Sequence, residues 1–336
     1  MYSFIRPLLF KLDPELAHHL VMKLFKLLHL FGFLYFIKDP SKVTPKVVMG
    51  LNFKNIVGLA AGLDKNAEYI DCLAKLGFGF IEVGTVTPKP QPGNPKPRSF
   101  RLTNEEGIIN RFGFNNVGIH QVIKNIKKSS YKGILGINIG KNFNTKIENA
   151  VKDYLICFRE AYAYASYITI NISSPNTKGL RDLQKRKYLE DLLSKIKIEQ
   201  LNLKKIHKKY VPIAIKISPD NSERELNIIC NLLLKYKLDA VIATNTSTSR
   251  KEVVNSVYVK EEGGLSGKPL QKKSLATIKF LHKKLNGKIP IIGVGGILSA
   301  DDAIQKIKYG SELIQIYSGL IFKGHRLVHE ICRATK

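Results

Sequence analysis

From residue 55 onward, short apolar, β-branched runs alternate with longer charged stretches of helical period. Eight of the runs read as buried strands: 56–61, 79–84, 134–139, 166–171, 212–217, 239–244, 290–294 and 312–317. Several are apolar at consecutive rather than alternate positions, which suits parallel strands covered on both faces. Helix-period segments separate most of them, among them 67–76, 149–164, 186–208, 222–237, 270–286 and 300–309. Eight such units predict an α/β fold, a (β/α)8 TIM barrel. A doubly wound open sheet is the alternative, but no Gly-x-Gly-x-x-Gly opens a helix after the first strand. Two connections, 85–116 and 246–269, are too long for plain barrel loops and are expected to carry lids or binding elements.

The first 40 residues follow another pattern. From Leu20 to Ile37 the chain is intensely apolar over about the length of a membrane span. Yet Lys23, Lys26, His29 and Gly32 recur at every third position and draw one narrow polar stripe along a helix. Leu20, Phe25, Leu28, Phe31 and Leu34 fill the wide apolar face. A charged stripe through a bilayer centre is costly. The segment is therefore expected either to pack on its own domain or to lie along one leaflet, lysines toward the headgroups. Asp13 and Pro14 look like the N-cap and first residue of a helix. Two short helices joined by a turn near Gly32 are expected. Asp13-Pro14-Glu15 also interrupts any apolar region of a signal peptide. The chain thus divides into helices over 1–40 and a barrel over 41–336.

Composition changes the picture in one respect. The chain is 44% hydrophobic over 336 residues, ample for a large core, and its 4 cysteines imply no disulfide framework. The net charge of +27 invites a nucleic-acid reading. However, 43 of the 54 basic residues are lysine, spread along the whole chain, whereas bidentate phosphate and base recognition favours arginine. No zinc-finger or RNA-recognition signature accompanies them. No nucleic-acid partner is expected, and the charge suits attraction to anionic lipid.

Barrel chemistry sits at the strand C-termini. These read AGLDK (61–65), GT (84–85), NIGKN (138–142), NISSPNT (171–177), Lys216 within IAIKI, TNT (244–246), GVGG (293–296) and YSG (317–319). The ring is rich in amides, hydroxyls and lysine, with Asp64 as its carboxylate and without His or Cys, so no metal site is expected. Gly295-Gly296 and Ser318-Gly319 follow strands seven and eight, where barrels bind phosphate. A lysine among apolar neighbours must face the ring or be paired; Lys216 there suits the N1/O2 edge of a flavin. Asn110, Asn171, Asn176 and Asn245 each offer a donor and an acceptor, and several around one pocket suit a ring with alternating C=O and N–H edges such as a pyrimidine, although asparagine in a loop is more often a turn former. Lys65 suits a carboxylate.

The strings LAAGLDK (59–65), GTVTPKPQPGNPKPR (84–98), INRFGFNN (109–116), NISSPNT (171–177), ATNT (243–246), GGLSGKPL (263–270), GVGGI (293–297) and IYSG (316–319) closely resemble the quinone-dependent, class 2 dihydroorotate dehydrogenases. The resemblance covers essentially the whole chain. It implies oxidation of (S)-dihydroorotate to orotate in pyrimidine biosynthesis, with FMN as hydride acceptor and a membrane quinone as final acceptor. Implied FMN contacts are Ala61, Gly62, Leu63, Asp64, Lys65, Thr85, Asn138, Asn171, Lys216, Thr244, Gly267, Gly296, Tyr317 and Ser318. Implied substrate contacts are Lys65, Asn110, Arg111, Phe112, Gly113, Phe114, Asn171, Asn176, Asn245 and Thr246.

The resemblance also makes Ser174 the base that removes a proton from C5, with Thr177 and Phe114 gating a water chain behind it. Class 1 enzymes use cysteine at that place; the cysteines here are 72, 157, 230 and 332. The loop 172–183 is expected to close over the substrate, with Lys178 a local variant directly after the motif. His18, Arg101 and Tyr317 match positions on a quinone path beneath the N-terminal helices. A monomer held peripherally at the cytoplasmic side of the cell membrane follows from the same resemblance. Two other functions keep the barrel: a flavin enzyme acting on another dihydropyrimidine or on dihydrouridine in tRNA, and a non-enzymatic peripheral membrane protein. Inertness toward dihydroorotate would mark the first, and absence of bound flavin the second.

Overall fold

The computed structural model describes residues 2–36 and 44–335. Eight parallel strands close into a barrel and follow one another around it in chain order. They are Val57–Leu59, Phe80–Val86, Ile134–Ile139, Tyr167–Asn171, Ile213–Ile217, Ala240–Ala243, Ile291–Val294 and Ser311–Ile316. The expected barrel is therefore present, and the open sheet is excluded by its closure. The expected helical segments form close to their places, as at Ala150–Tyr162, Arg186–His207, Glu223–Lys235, Gln271–Leu285 and Ala300–Lys308. Capping boxes at Ser222 and Ser299 start two of them.

The lower barrel is filled by Phe80, Tyr167, Ala214, Ala240, Ile242, Ile292 and Leu313. A hairpin of Lys46–Val48 and Leu51–Phe53 delivers Phe53 against Phe80, edge to face at 5.0 Å. Glycine in neighbouring strands makes room for these rings. A Cβ at Gly58 would lie 2.2 Å from the Phe80 ring, and one at Gly136 2.3 Å from that of Tyr167. This floor fills that end of the barrel interior, which opens at its C-terminal mouth. Truncating Phe80 to alanine would cost about 3–5 kcal/mol.

The two long connections do not remain loops. Ser99–Leu102 and Gly107–Asn110 form a hairpin, and Gly264–Gly267 adds to it as a third antiparallel strand. The segments lie some 150 residues apart, so no local pattern announces their pairing.

The N-terminal helices also depart from expectation. Helix α1 spans Tyr2–Lys11 and helix α2 spans Pro14–Leu30. Their junction is at Leu12–Asp13 rather than near Gly32. Gly32 instead follows α2 and leads into a single 3-10 turn, Phe33–Phe36. Asp13 does cap α2, accepting from the backbone N–H groups of Glu15 and Leu16, both at 2.9 Å. The expected apolar face is divided. Ala17, Met22 and Leu34 are buried and Phe25 and Leu28 partly buried, whereas Leu16, Leu20, Leu24, Leu27, Leu30 and Phe31 are exposed. Polar contacts tie the pair to the barrel domain. Arg6 donates to Phe322 O at 2.8 Å, and Arg98 grips Glu15 through Nε at 3.1 Å and a terminal nitrogen at 2.7 Å. The boundary expected at 40/41 lies outside the described residues.

Candidate active site

The mouth of the barrel opens into a cavity of about 140 Å³. Strand ends and the three-stranded sheet converge on it, bringing together Ala61, Gly62, Lys65, Thr85, Asn110, Phe112, Gly113, Phe114, Asn171, Ser174, Asn176, Lys216, Thr244, Asn245, Thr246, Gly267, Gly296, Tyr317 and Ser318. One end is a cradle of small residues, Gly295, Gly296, Ser318 and Gly319. Gly296 has φ +73, and a Cβ there would lie 2.4 Å from Gln271 Cα, so only glycine fits.

The asparagines fall into two hydrogen-bonded groups. Asn245 Nδ2 donates to Asn171 Oδ1 at 3.2 Å and to Ser173 Oγ at 3.1 Å. Asn171 Nδ2 donates to Thr85 Oγ1 at 2.9 Å, and that hydroxyl donates to Asn138 Oδ1 at 2.6 Å. In the second group Asn176 Nδ2 donates to Asn110 Oδ1 at 3.2 Å. Ser174 is buried, and its Oγ accepts from the Asn176 backbone N–H at 3.3 Å. Phe114 adopts φ +57, a left-handed conformation uncommon for a bulky side chain, at the cavity wall.

Two lysines supply the charge. The Lys65 ammonium lies 4.2 Å from the centre of the Phe112 ring. Burial pulls its pKa down to about 8, with Glu15 acting against the shift, so it remains mostly charged at neutral pH. Lys216 stands at the cavity floor, and burial lowers its pKa while Glu82 raises it. Two buried atoms nearby, Thr244 Oγ1 and Gln315 Oε1, have no hydrogen-bond partner within the protein. Such atoms call for a ligand or water.

A second cavity of about 190 Å³ lies between the N-terminal helices and the barrel. Leu9, Phe10, Ala17, Val21, Met22, Phe25, Leu73 and Leu320 make much of its wall apolar, and His18 and Arg101 join it. Burial above all, then Lys65, holds the His18 imidazole down to about 3. Arg101 donates to Phe10 O at 3.1 Å and stacks 4.3 Å from the Phe10 ring centre. Lys65, Asn110, Phe112 and Tyr317 line both cavities and so form the wall between them.

Some expected residues stand elsewhere. The Arg111 side chain turns away to Glu261, at 2.5 Å, and lies over Phe100. Asn138 sits one layer below the cavity. The Asp64 carboxylate accepts the N–H groups of Glu68 and Tyr69, at 2.9 and 2.8 Å, and shapes its own loop. Leu63 and Asp64 line the second cavity rather than the first. Thr177 is buried outside both, its hydroxyl unpartnered.

The sequence reading missed Glu82, Arg98, Arg181, Ser266 and Gln315. Glu82 lies inside a run already read as a strand, but a barrel strand is apolar on both faces and gives no sign of which positions point inward. Arg98 stands within the quoted GNPKPR string, where its bidentate grip on Glu15 across 83 residues leaves no local trace.

Residues 44–336 match the family described as "Dihydroorotate dehydrogenase". The dihydroorotate dehydrogenase (quinone) of Methylobacillus flagellatus is 55% identical over 333 residues, 99% of each chain. That of Buchnera aphidicola is 56% identical over 334 residues, again 99% of each. Among solved structures, the Eimeria tenella dihydroorotate dehydrogenase in complex with ferulenol superposes with a TM-score of 0.88 at 37% identity, covering 96% of this chain and 90% of that one. A barrel with this mouth, capped by two helices over a second cavity and matched along its whole length, belongs to the quinone-dependent branch of the dihydroorotate dehydrogenase family.

Proposed function

We propose that this protein oxidises (S)-dihydroorotate to orotate, with FMN at the barrel mouth and a membrane quinone as final electron acceptor, a step of pyrimidine biosynthesis. One observation carries the reading. A cavity that gathers amides, hydroxyls and two lysines meets a more apolar one at the shared wall of Lys65, Asn110, Phe112 and Tyr317. A hydrogen-bonding substrate and a more apolar one thus gain access to one place from different sides.

The first cavity fits FMN. The glycine and serine cradle suits its phosphate. Lys216 and the unpartnered Thr244 Oγ1 and Gln315 Oε1 suit a ring edged with alternating donors and acceptors. When bound there, FMN supplies a two-electron acceptor beside the substrate. Asn110, Asn171, Asn176 and Asn245 hold the pyrimidine edges, and Lys65 holds the carboxylate.

Ser174 acts as the base at C5. A serine is a weak base by itself, so its own hydroxyl proton must leave as its Oγ takes the C5 proton, and the Asn176 N–H favours this by stabilising the negative charge that the departing proton leaves on Oγ. Thr177 and Phe114 guard the proton's route away from Ser174, and loop 172–183 excludes water during the step. The helices of residues 1–40 rest on the cytoplasmic face of the cell membrane, and His18, Arg101 and Tyr317 line the quinone's approach to the barrel of 41–336. The protein works as a monomer.

Anaerobic addition of dihydroorotate, followed by flavin absorbance, tests this. The wild type bleaches rapidly. Ser174→Ala retains flavin and substrate but bleaches about 10²–10⁴-fold more slowly. Wild-type speed in the alanine variant would remove Ser174 from its role. A flavin-loaded wild type inert to dihydroorotate would overturn the substrate.

A further inference from the structure

Behind the glycine and serine cradle lies a buried lysine that touches neither cavity. Lys306 belongs to the last turn of the helix Ala300–Lys308 and is only 1% exposed. Its ammonium donates to the Ser274 hydroxyl, on the neighbouring helix Gln271–Leu285, at 2.8 Å. Ser274 is buried too, and its hydroxyl donates to Val294 O at 2.5 Å. A carbonyl cannot donate, so the hydroxyl proton is committed to Val294 and a lone pair of Oγ is left for the lysine.

Nothing neutralises the ammonium at close range. Among the described residues no carboxylate lies within 4.0 Å of it. Asp302 stands one turn away along the same helix, but its carboxylate is already engaged. One oxygen accepts from Gln271 Nε2, and the other accepts the N–H groups of Leu298 and Ser299, both at 2.9 Å. Burial holds the Lys306 pKa down to about 7, with Asp302 acting against the shift. A buried cation in this position costs stability, and methionine would fill similar space without that cost. Packing alone therefore does not account for the lysine.

What the lysine holds is the root of the cradle. Val294 ends strand seven, and Gly295 and Gly296 follow it. The Val294–Gly295 peptide is trans, so its N–H points opposite to its C=O. Thr244 N–H, from the end of strand six, and the Ser274 hydroxyl both hold the C=O. The N–H is thereby turned toward strand eight, on the other flank of strand seven. Ser318 and Gly319 complete the cradle there. Gly295 itself packs on the relay, since a Cβ at that position would lie 3.3 Å from Ser274 Cβ. We infer that Lys306 is a positioning residue for the flavin phosphate: through Ser274 it fixes the Val294–Gly295 peptide and so sets the course of the glycine loop that receives the phosphate. The inference rests on FMN occupying the first cavity with its phosphate in the cradle.

The test compares FMN with riboflavin, which has the same ring and no phosphate. Release of each flavin from the loaded, full-length protein is followed by the rise in flavin fluorescence after dilution. The wild type releases riboflavin faster than FMN. Lys306→Met should release FMN about tenfold faster than the wild type and riboflavin at the wild-type rate. Loaded with riboflavin, it should melt no lower than the wild type, because a buried cation is gone. Ser274→Ala should show the same FMN-specific loss, and the double variant should be little worse than either single one, since both act through one contact. Lys306→Met overturns the inference if it speeds release of both flavins equally or of neither, or if it fails to fold, which would make the lysine a structural residue. A Ser274→Ala loss that falls equally on both flavins overturns it independently. A wild type that holds riboflavin as tightly as FMN fails the phosphate placement of the proposed function, a result distinct from these.

Discussion

A histidine at the wall of the second cavity shows how one residue couples function to pH. The His18 pKa is pulled from 6.5 to about 3 by burial, reinforced by Lys65 and His19 and opposed by Glu15. Its imidazole is therefore neutral at pH 7 and adds no charge to an apolar passage. The native pKa lies below the unfolded one, so the native state binds fewer protons over the interval between them. Stability is thus lost as pH falls from about 6.5 toward 3, by at most about 2 kcal/mol at pH 5. His18→Gln, which cannot titrate, should flatten the fall in urea-unfolding free energy between pH 6.5 and 5. That window lies above the range where Glu15 gains its proton, since Arg98 and Lys96 keep its carboxyl below the usual value. An identical slope in both proteins would mean that the histidine protonates freely in the fold.

His18 was legible in the sequence only through the family likeness, because a histidine on an apolar helix carries no statement of what faces it. The strand-end residues were legible more directly. Asparagine, serine and lysine at the ends of buried strands are conspicuous, and a barrel fixes which end matters. Arg111 marks the limit of that reasoning, since adjacency in the RFGF string says nothing of rotamer, and Glu261 draws its side chain outward.

Loops become active-site walls only when tied together, and one arginine ties three. Arg181 lies in the 3-10 turn Leu180–Gln184, within the loop that carries Ser174. It donates to Ser173 O at 3.2 Å, to Thr246 O at 3.0 Å and to Asp220 Oδ2 at 2.9 Å. Asp220 in turn accepts from Ser247 Oγ, Lys273 Nζ and the Thr248 N–H. These bonds overcome the cost of its burial and hold its carboxyl down to about 2. The ends of strands four, five and six are thereby clamped around the serine. Lysine cannot reproduce the three-way fork. Arg181→Lys should slow flavin reduction by roughly tenfold, consistent with losing one charged hydrogen bond of about 1.5–3 kcal/mol. It should also speed protease cleavage within 172–183 while leaving flavin content intact. Unchanged cleavage together with an unchanged rate would show that the loop is held by other contacts. None of this clamp was readable beforehand, for its partners come from three loops far apart in the chain. The eight strands were readable because each is local.

At the scale of the whole molecule, net charge and the apolar N-terminus become one argument. Among the described residues no helix is long and apolar enough to cross a membrane. Helix α2 instead divides its apolar residues, giving Met22, Phe25 and Leu28 to the protein while Leu16, Leu20, Leu24 and Leu27 remain outside. The sequence showed how apolar the segment is but not this division, which depends on where the barrel lies. The two readings of the segment, packed on its own domain or lying in a leaflet, are therefore compatible: one side of the helix packs on the domain and the other is free to meet a leaflet. Leucines at these spacings form a continuous outer stripe, flanked by the exposed Lys23 and Lys26. On the proposed membrane placement, a surface of net charge +27 would add long-range attraction to an anionic leaflet. Attraction of this kind is screened by salt, whereas leucine insertion is not. Binding to vesicles containing anionic lipid should therefore weaken, without vanishing, as salt is raised. Replacing Leu20, Leu24 and Leu27 together by serine should abolish the salt-resistant part. Each is about half exposed, so folding should change by under about 0.5 kcal/mol per site. Dihydroorotate should still bleach the flavin of this variant at the wild-type rate, while turnover with a long-chain quinone embedded in vesicles should fall severalfold. Undiminished turnover would separate the leucine stripe from quinone delivery and leave it as a surface that serves something else.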